Sequence, residues 1–215
     1  KNLAERSFKD YRKKSIKYFE TNKKKVKDKK TMLDTSPRVI LVQNVGLFSV
    51  GDSLGAAKIA GDLTETNARV ISSVEETSKY KFIPEKDLFD VEYWSLEQAK
   101  IKKAKKDLQG NVVVITGSFG AIGTATYKLF KSYGAEVVLL DYNLQKVKEM
   151  KSKVKDLCLH CDVTNKDSVK KAFKIITETY GGIDILISNA GSAIGGSIAE
   201  VDDKILRQSF EDNFF

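Results

Sequence analysis

The sequence predicts an α/β protein whose second half forms part of a doubly wound parallel sheet, and three observations support this prediction. First, short apolar runs alternate with segments of helical periodicity from residue 110 onward, which is typical of repeated strand and helix units. Second, these runs are apolar throughout instead of alternating, as expected for strands covered by helices on both faces. Third, a glycine-spaced turn separates the first run from the first helix.

Residues 1–30 are predicted to form a basic amphipathic helix. Five residues fall near one helical face and lysines fill the others; they are Ala4, Phe8, Tyr11, Tyr18 and Phe19. The segment holds 13 basic and 4 acidic residues, so it accounts for the chain's net charge of +8 and leaves the remainder nearly neutral. No aromatic residue interleaves the run Lys23–Lys30, which favours a solvated helix end over a nucleic-acid patch. Binding of a polyanion through this run is the alternative ranked last.

A strand, a loop and a long helix are predicted over residues 37–78. The β-branched run Val39–Val42 predicts a buried strand that leads into a glycine-marked loop. Apolar residues then recur at helical spacing from Leu54 onward. A linker helix over residues 94–106 ends this smaller α/β domain, which we place at residues 1–108.

The second domain, residues 109–215, is predicted to contain four strands and four helices that alternate. The strands are expected at 112–115, 137–140, 157–161 and 183–188, and the helices at 124–133, 143–154, 166–180 and 202–215. Four such strands make half of a doubly wound sheet, and the fourth strand is then left at an edge.

Composition excludes a membrane span and a fold stapled by disulfides. No window holds the roughly 18 consecutive apolar residues that a transmembrane helix needs, and no apolar N-terminal segment precedes a cleavage-like site. Cys158 and Cys161 lie too close together to staple a fold of this size, and the cytoplasm is the expected location. Because the chain begins without Met and ends on Phe214 and Phe215, we expect a piece of a longer protein.

The glycine turn over Thr116–Gly123 is the first candidate binding element. Gly117 is predicted to make the tight turn at the strand end, Gly120 to let the backbone approach a pyrophosphate, and Gly123 to let the helix pack against the strand. The free N–H groups and the dipole of that helix favour an anion. The turn is therefore predicted to bind a cofactor, together with its other members, Ser118, Phe119, Ala121 and Ile122.

An acidic residue at the end of the next strand completes a dinucleotide-binding pattern. Asp141 lies 18 residues after Gly123, where a carboxylate accepts hydrogen bonds from ribose hydroxyls. The same carboxylate repels a 2′-phosphate, and neither Ser118 nor Tyr142, which follows Asp141, supplies a positive charge. The pattern therefore predicts a Rossmann-type half-domain that binds NAD in preference to NADP. A plain strand-to-helix turn, with Asp141 capping the next helix, is the alternative.

From residue 110 onward the sequence resembles the short-chain dehydrogenase/reductase family. The resemblance rests on the glycine turn, on Asp141 and on the segments Cys161–Thr164 and Ile187–Gly191. In that family an Asp at the position of Asp162 holds the adenine ring, and an Asn-Ala-Gly sequence stabilises the sheet beside the cofactor. The resemblance therefore implies five further cofactor-side residues: Asp162, Val163, Asn189, Ala190 and Gly191.

The same resemblance implies an active-site role for Asn213, which lies 24 residues beyond Asn189. In the family the backbone of this Asn helps to hold a catalytic Lys through water. The family's catalytic Ser and its Tyr-x-x-x-Lys pair are expected beyond Phe215, so this fragment alone is expected to be inactive. Tyr127 and Lys131 have the spacing of that pair, but they belong to the helix after the glycine turn, and we expect Tyr127 to pack on the sheet.

The first domain is similar to the end of the class II aldolase-like domain in bifunctional aldolase/short-chain dehydrogenase proteins, the rhamnulose-1-phosphate aldolase/alcohol dehydrogenase type. Residues 37–51 and 87–100 carry that similarity. In such proteins an upstream segment supplies metal-binding histidines, and because His160 is the only histidine of this sequence, no metal ligand is assigned. Cys158 and Cys161 are predicted to lie on opposite faces of a strand, which excludes a shared metal ion.

The sequence therefore predicts part of an NAD-dependent short-chain dehydrogenase. It would transfer hydride between a nicotinamide cofactor and a small hydroxy-aldehyde or sugar-derived alcohol, in carbohydrate metabolism. A small-molecule substrate and a homo-oligomer, dimer or tetramer, are expected, with no nucleic-acid or membrane partner. The alternative is a non-catalytic dinucleotide-binding or assembly module, because the sequence holds none of the family's catalytic Ser, Tyr and Lys residues.

Overall fold

A computed structural model describes residues 2–101, 106–192, 195–197 and 199–214 of this protein. The chain divides into two compact units, Lys1–Lys105 and Lys106–Phe215. Each unit contains a hydrophobic core of its own. In the part of the chain that the structure describes, no helix has the length and apolar character needed to cross a membrane.

The first unit contains helices and one antiparallel hairpin. In chain order its elements are α1 (Asn2–Asn22), β1 (Val39–Val42), β2 (Gly46–Ser49), α2 (Leu54–Thr77), α3 (Glu85–Glu92) and α4 (Ser95–Ile101), with a turn of 3-10 helix at Lys23–Lys25. The core consists of Phe19 from α1 packed against Phe89 and Tyr93. The rings of Phe89 and Tyr93 stack with their centroids 4.5 Å apart. The small size of this aromatic core leaves many apolar side chains of the unit exposed.

The prediction of a buried strand that leads into a loop is wrong for Val39–Val42. The run is a strand, but it pairs with β2 in a hairpin, in which Val39 lies opposite Ser49. The Leu41 side chain is 75% exposed, and Val42 is also exposed. A two-stranded sheet that packs on one helix has only one face covered, so an apolar run there remains half in solvent.

The second unit contains the predicted alternation of strands and helices. Its elements are β3 (Val112–Thr116), α5 (Ala121–Ser132), β4 (Glu136–Asp141), α6 (Leu144–Lys153), β5 (Cys158–His160), α7 (Lys166–Tyr180), β6 (Ile185–Ile187) and α8 (Asp203–Asn213). The four strands form one parallel sheet in the order β5-β4-β3-β6, so the predicted half of a doubly wound sheet is confirmed. As predicted, the fourth strand of this unit, β6, lies at an edge.

Alternate residues of the two central strands pack into two separate cores, one on each face of the sheet. On one face they contact α7, and the buried cluster is Val112, Val114, Val138, Leu140, Cys161, Ala172 and Ile176. On the other face they contact α5 and α6, and the buried cluster is Val113, Ile115, Ala135, Val137, Leu139, Val147 and Cys158. Both faces are thus covered, which explains why the strands are apolar at every position.

Candidate nucleotide-binding site

A cleft of the second unit lies at the carboxyl ends of its strands. Its volume is about 730 Å³, and it is lined by Gly117, Gly120, Ala121, Ile122, Gly123, Asp141, Tyr142, Lys146, Cys161, Asp162, Val163, Thr164, Asn189, Ala190, Gly191, Ser192 and Gln208. Parallel strands all end at one edge of a sheet, and ligands bind there in open α/β sheets. The structure therefore brings twelve of the predicted site residues together in one cleft.

Three predicted residues do not line this cleft. The Ser118 side chain is buried, and its hydroxyl donates to the Leu140 carbonyl at 3.1 Å. The Phe119 ring packs against the core on the α5 and α6 face of the sheet. Asn213 lies on α8, where its side chain bonds to the backbone of Ser192. The side chains of Ser118 and Phe119 thus lie on the core side of the glycine turn. Asn213 contacts Ser192, which lines the cleft, but does not line the cleft itself.

The glycine turn is shaped by close approaches at its two ends. Gly117 has a φ of +60°, and a Cβ there would lie 2.8 Å from the Ala190 Cα atom. A Cβ on Gly123 would collide with the Gly117 carbonyl oxygen and lie 2.7 Å from the Ser118 Cα atom. These two glycines are therefore required by the packing of the turn itself.

Gly120 is the exception within the turn. Its φ is −75°, and a Cβ there would make only an ordinary contact with the Gly117 carbonyl oxygen at 3.5 Å. Packing within the protein therefore does not require a glycine at this position. Gly120 is also the N-cap of α5, which has no side-chain cap, whereas α6, α7 and α8 are capped by Asn143, Asn165 and Asp202. The N–H groups of the first turn of α5 are left for an anion in the cleft.

Asp141 connects the end of β4 to the glycine turn. One carboxylate oxygen, Oδ2, accepts from the backbone N–H of Phe119 at 2.9 Å. The other, Oδ1, accepts from the backbone N–H of Asn143 at 2.9 Å. Each oxygen keeps a further acceptor position, since a carboxylate oxygen has two lone pairs. The two backbone bonds fix the carboxylate at the corner where it lines the cleft.

Thr116 holds the turn against the loop after β6, a role that the sequence reasoning did not identify. Its side-chain oxygen accepts from the backbone N–H groups of Asn189 and Ala190 at 3.0 and 2.9 Å. In return, the Asn189 side-chain amide donates to the carbonyls of Thr116 and Gly117 at 3.0 and 3.1 Å. The sequence signal for this role was a small residue with a hydroxyl group, Thr116, at the end of β3. These four bonds explain how Asn189 supports the cleft.

The loop after β5 supplies the opposite side of the cleft. Asp162 Oδ1 accepts from the backbone N–H and the hydroxyl of Thr164, at 3.0 and 2.7 Å. The Asp162 backbone N–H donates to the Ser168 hydroxyl at 3.0 Å. Burial raises the pKa of the neighbouring Cys161 thiol, so this lining residue is a neutral thiol at physiological pH.

Asn213 fixes the loop that leaves β6. Its side-chain amide donates to the carbonyls of Ser192 and Ser209, each at 2.7 Å. Its Oδ1 accepts from the Ser192 backbone N–H at 3.1 Å. A Cβ on Gly191 would collide with this oxygen, so Gly191 and Asn213 fit together. The Asn213 side chain therefore positions the cleft wall.

Tyr127 and Lys131 lie on α5, and both bind Asp156. The Tyr127 hydroxyl donates to Asp156 Oδ2 at 2.8 Å, and the Lys131 ammonium lies 2.8 Å from Oδ1. Burial and the adjacent carboxylate raise the pKa of Tyr127. Tyr127 packs on the core of the α5 and α6 face and does not line the cleft, so the prediction that it packs on the sheet is confirmed.

The two cysteines lie in different cores. Cys158 packs with the cluster on the α5 and α6 face, and Cys161 with the cluster on the α7 face. The prediction that they lie on opposite faces is confirmed. No cluster of three or more His, Cys, Asp or Glu side chains suited to a metal ion is found among the described residues.

Five lining residues were not predicted from the sequence: Lys146, Cys161, Thr164, Ser192 and Gln208. Lys146 had a detectable signal, because it lies in the first turn of the helix that follows Asp141. Gln208 lies on α8, and only the packing of that helix brings it to the cleft. Positions on a helix face are hard to assign from sequence when the neighbouring elements are unknown.

Comparison with known proteins gives two family matches. Residues 1–101 match the family described as aldolase class II, second domain, and residues 111–215 match the short chain dehydrogenase family. The chain is 29% identical over 196 residues to the uncharacterized oxidoreductase YuxG of Bacillus subtilis (strain 168), covering 87% of this chain and 28% of that protein. It is 42% identical over 87 residues to secoisolariciresinol dehydrogenase of Forsythia intermedia, covering 39% of this chain and 31% of that protein.

Among solved structures, one similar chain is a short-chain dehydrogenase/reductase described as glucose/ribitol dehydrogenase from Brucella melitensis. The match covers 52% of this chain and 49% of that chain, with a TM-score of 0.48 and 26% sequence identity. The present chain thus spans about half of that structure. It spans 28% and 31% of the two curated relatives.

Proposed function

We propose, from the match of residues 111–215 to the short chain dehydrogenase family and of residues 1–101 to the aldolase class II second-domain family, that this chain is part of an NAD-dependent oxidoreductase. Nicotinamide cofactors are used by members of the dehydrogenase family. When bound, the cofactor supplies hydride transfer, and the protein binds and orients it. The proposed substrate is a small hydroxy-aldehyde or a sugar-derived alcohol.

The observation that carries this proposal is the uncapped N-terminus of α5 at Gly120. The position needs no glycine for internal packing, whereas a pyrophosphate that approaches the backbone does need one. The unbonded N–H groups of the first helical turn and the helix dipole stabilise the two phosphate charges there. The residues therefore fit a dinucleotide.

The preference for NAD rests on Asp141. Its carboxylate is fixed by Phe119 and Asn143 and retains acceptor positions for the ribose hydroxyls. A 2′-phosphate at the same place meets a negative charge. In this proposal Asp162 and Val163 contact the adenine ring, and Asn189, Ala190 and Gly191 form the wall on the nicotinamide side.

The substrate class rests on the aldolase-like segment that precedes the dehydrogenase segment. Aldol cleavage releases hydroxy-aldehydes and related carbonyl compounds, which are natural substrates for a neighbouring dehydrogenase. We place the protein in the cytoplasm and in carbohydrate metabolism on the same grounds. The fold family further leads us to propose a homo-oligomer, dimer or tetramer, which sedimentation of the purified chain would test.

Calorimetric titration of residues 1–215 with NAD tests the proposal. We expect saturable binding that Gly120→Ala weakens at least about ten-fold, because a Cβ would hold the pyrophosphate away from the backbone. Asp141→Ala should weaken NAD binding and reduce discrimination against NADP. Gly182→Ala is the matched control, because a Cβ at Gly182 meets no atom within 4 Å and Gly182 does not line the cleft.

Two results would overturn the proposal. One is the absence of NAD binding to a chain that circular dichroism shows to be folded. The other is NAD binding that neither Gly120→Ala nor Asp141→Ala changes. In either case the glycine turn would be a plain strand-to-helix connection.

A further inference from the structure

Helix α2 has apolar residues on the side that faces away from its hairpin. Gly61 marks the side that packs on the hairpin, because a Cβ there would lie 3.1 Å from the Ser49 Oγ atom of β2. Ile59, Leu63 and Val70 are 61%, 66% and 50% exposed. Since an α-helix has about 3.6 residues per turn, these three side chains form one stripe on the side opposite Gly61. We call this the α2 stripe.

The α2 stripe has the spacing of a seam between two helices. Its positions recur at alternating intervals of four and three residues, which is the heptad pattern of helices that pack side by side. The residues at these positions are Ile59, Leu63, Thr66, Val70, Ser73 and Thr77. A surface helix ordinarily carries charged and polar residues on the side away from its core. The stripe therefore indicates a second helix as its partner.

Two opposite charges flank the α2 stripe at equivalent heptad positions. Asp62 directly precedes Leu63, and Arg69 directly precedes Val70. Both side chains are exposed, and neither takes part in an ion pair among the described residues of the chain. They lie two turns apart, too far along the helix to face each other within one copy. The flank is thus complementary to the same flank read in the opposite direction.

We propose that the α2 stripe is a self-association surface, on which a second copy of this chain packs its own α2 antiparallel. In this arrangement Ile59 packs against the partner's Val70, and Leu63 lies beside the two-fold axis. Asp62 pairs with the partner's Arg69. The two-fold axis generates each of these contacts twice. The inference goes beyond the proposed function, since it concerns the first unit and needs no cofactor.

The charges select the antiparallel direction. In a parallel pair the residues that flank the seam meet others five positions along the partner helix. Asp62 would then lie beside the partner's Asn67, and Arg69 beside the partner's Val74. Neither charge would meet an opposite one. Only the antiparallel pair satisfies both the apolar stripe and its flank.

Sedimentation velocity of residues 1–215 tests the inference. Because three apolar side chains per copy make a small interface, we expect a dissociation constant on the order of 10 µM or higher. The sedimentation coefficient should therefore rise with chain concentration between about 1 and about 200 µM.

Leu63→Glu tests the apolar stripe. It should raise the dissociation constant of the dimer at least about ten-fold, because it places a charge beside the two-fold axis. The side chain is exposed in the single chain, so the circular dichroism spectrum and the affinity for NAD should not change. These two readouts separate loss of association from loss of folding.

Charge reversal tests the direction of the pairing. Asp62→Arg gives each copy two positive charges on the flank, and Arg69→Asp gives each copy two negative charges. Each variant alone should dimerise about five-fold more weakly than wild type, as for loss of two exposed ion pairs. An equimolar mixture of the two variants should recover the wild-type affinity, since opposite charges then meet. Glu65→Arg is the matched control, because it makes the same change of charge outside the seam and its flank.

The outcomes separate this inference from the other proposals. A folded wild-type chain that stays monomeric at every concentration would overturn it, and the α2 stripe would then be left for a different protein. Association that Leu63→Glu does not weaken would also overturn it, while leaving the proposed homo-oligomer to another surface. A mixture of the charge variants that does not recover affinity would show that the helices do not pair antiparallel. None of these results changes the expected binding of NAD, which calorimetry on the same samples measures.

Discussion

Two apolar runs of nearly identical composition differ in solvent exposure in this molecule: one is partly exposed and the other is buried. Val39–Val42 reads Val-Ile-Leu-Val and forms β1 of the first unit, where Leu41 is 75% exposed. Val112–Ile115 reads Val-Val-Val-Ile and forms most of β3, where Val113, Val114 and Ile115 are 0% exposed. Both are strands, as their β-branched composition predicts. The composition of a run therefore indicates a strand without indicating how deeply it is buried.

The difference comes from the neighbours of each strand. β3 has a parallel strand on each side and helices on both faces of its sheet. β1 has a single antiparallel partner, and the two strands are joined by a tight turn in which Asn44 has a φ of 60°. Apolar surface is removed from water only when a second layer lies over it. The same kind of run is thus part of the buried core in the second unit and partly exposed to solvent in the first.

The largest expected effect comes from one substitution made in both regions. Leu140→Ala should lower the free energy of unfolding of the second unit by about 2 to 5 kcal/mol, because it opens a cavity at a side chain that is 0% exposed. Leu41→Ala should change that of the first unit by about 0.5 kcal/mol or less, because its side chain is already in solvent.

Hydrogen exchange read by mass spectrometry separates the two units and checks this contrast. Peptides from β3 and β4 should exchange faster in Leu140→Ala, and peptides from the hairpin should exchange unchanged in Leu41→Ala. A large loss of protection from hydrogen exchange in the hairpin of Leu41→Ala would show that this hairpin is covered in solution. That result would contradict the contrast between an exposed β1 and a buried β3.

A smaller effect is expected at two glycines that share a positive φ. Gly117→Ala should lower the free energy of unfolding by about 1 to 3 kcal/mol, because it combines backbone strain with a Cβ 2.8 Å from the Ala190 Cα atom. Gly46→Ala, at a φ of 137° with no atom within 4 Å of its Cβ, should cost only the strain of about 1 kcal/mol. Urea unfolding measures the change in the free energy of unfolding for both variants. Equal changes would mean that the backbone around Gly117 and Ala190 moves apart without a cost in free energy.

The smallest expected effect is a difference between the two units in how their free energy of unfolding depends on pH, and it is on the order of 1 kcal/mol. Burial raises the pKa of Tyr180 to about 12 and raises the pKa values of the Cys158 and Cys161 thiols. The folded unit keeps protons that the unfolded chain loses near about pH 8.5 for Cys and about pH 10 for Tyr. Its stability is therefore complete below about pH 8.5 and falls as pH rises through the range in which these groups ionise in the unfolded chain but stay protonated in the folded unit.

The first unit contains no cysteine, so its loss of stability should begin only near about pH 10. There burial raises the pKa values of Tyr18 and Tyr93. Urea unfolding at pH 7.5 and pH 9.5 tests this, with the fluorescence of Trp94, the single tryptophan, reporting the first unit and circular dichroism reporting both. An equal loss in both units at pH 9.5 would contradict the assignment to the cysteines.

Much of the candidate site could be predicted because its signals are local. The Gly117 to Gly123 spacing and the acid at Asp141 are set by backbone requirements that act within a strand, a turn and a helix. Ser118 and Phe119 were placed in the site for the same reason, yet their side chains lie behind the turn. The spacing of the glycines determines the path of the backbone through the turn. The direction of each side chain depends on which core residues it packs against.

The sequence by itself determined the strands and helices of the second unit, the parallel arrangement of its strands and the edge of the sheet at which the candidate site lies. Those features follow from periodicity and from the apolar character of doubly covered strands, which every residue of a run reports. Tertiary structure alone decided the exposure of Val39–Val42, the four bonds that join Thr116 and Gly117 to Asn189 and Ala190, and the position of Lys146 beside Asp141. Each of these depends on contacts between residues far apart in the chain, or on the direction in which a side chain leaves a helix, and neither is visible in a local pattern.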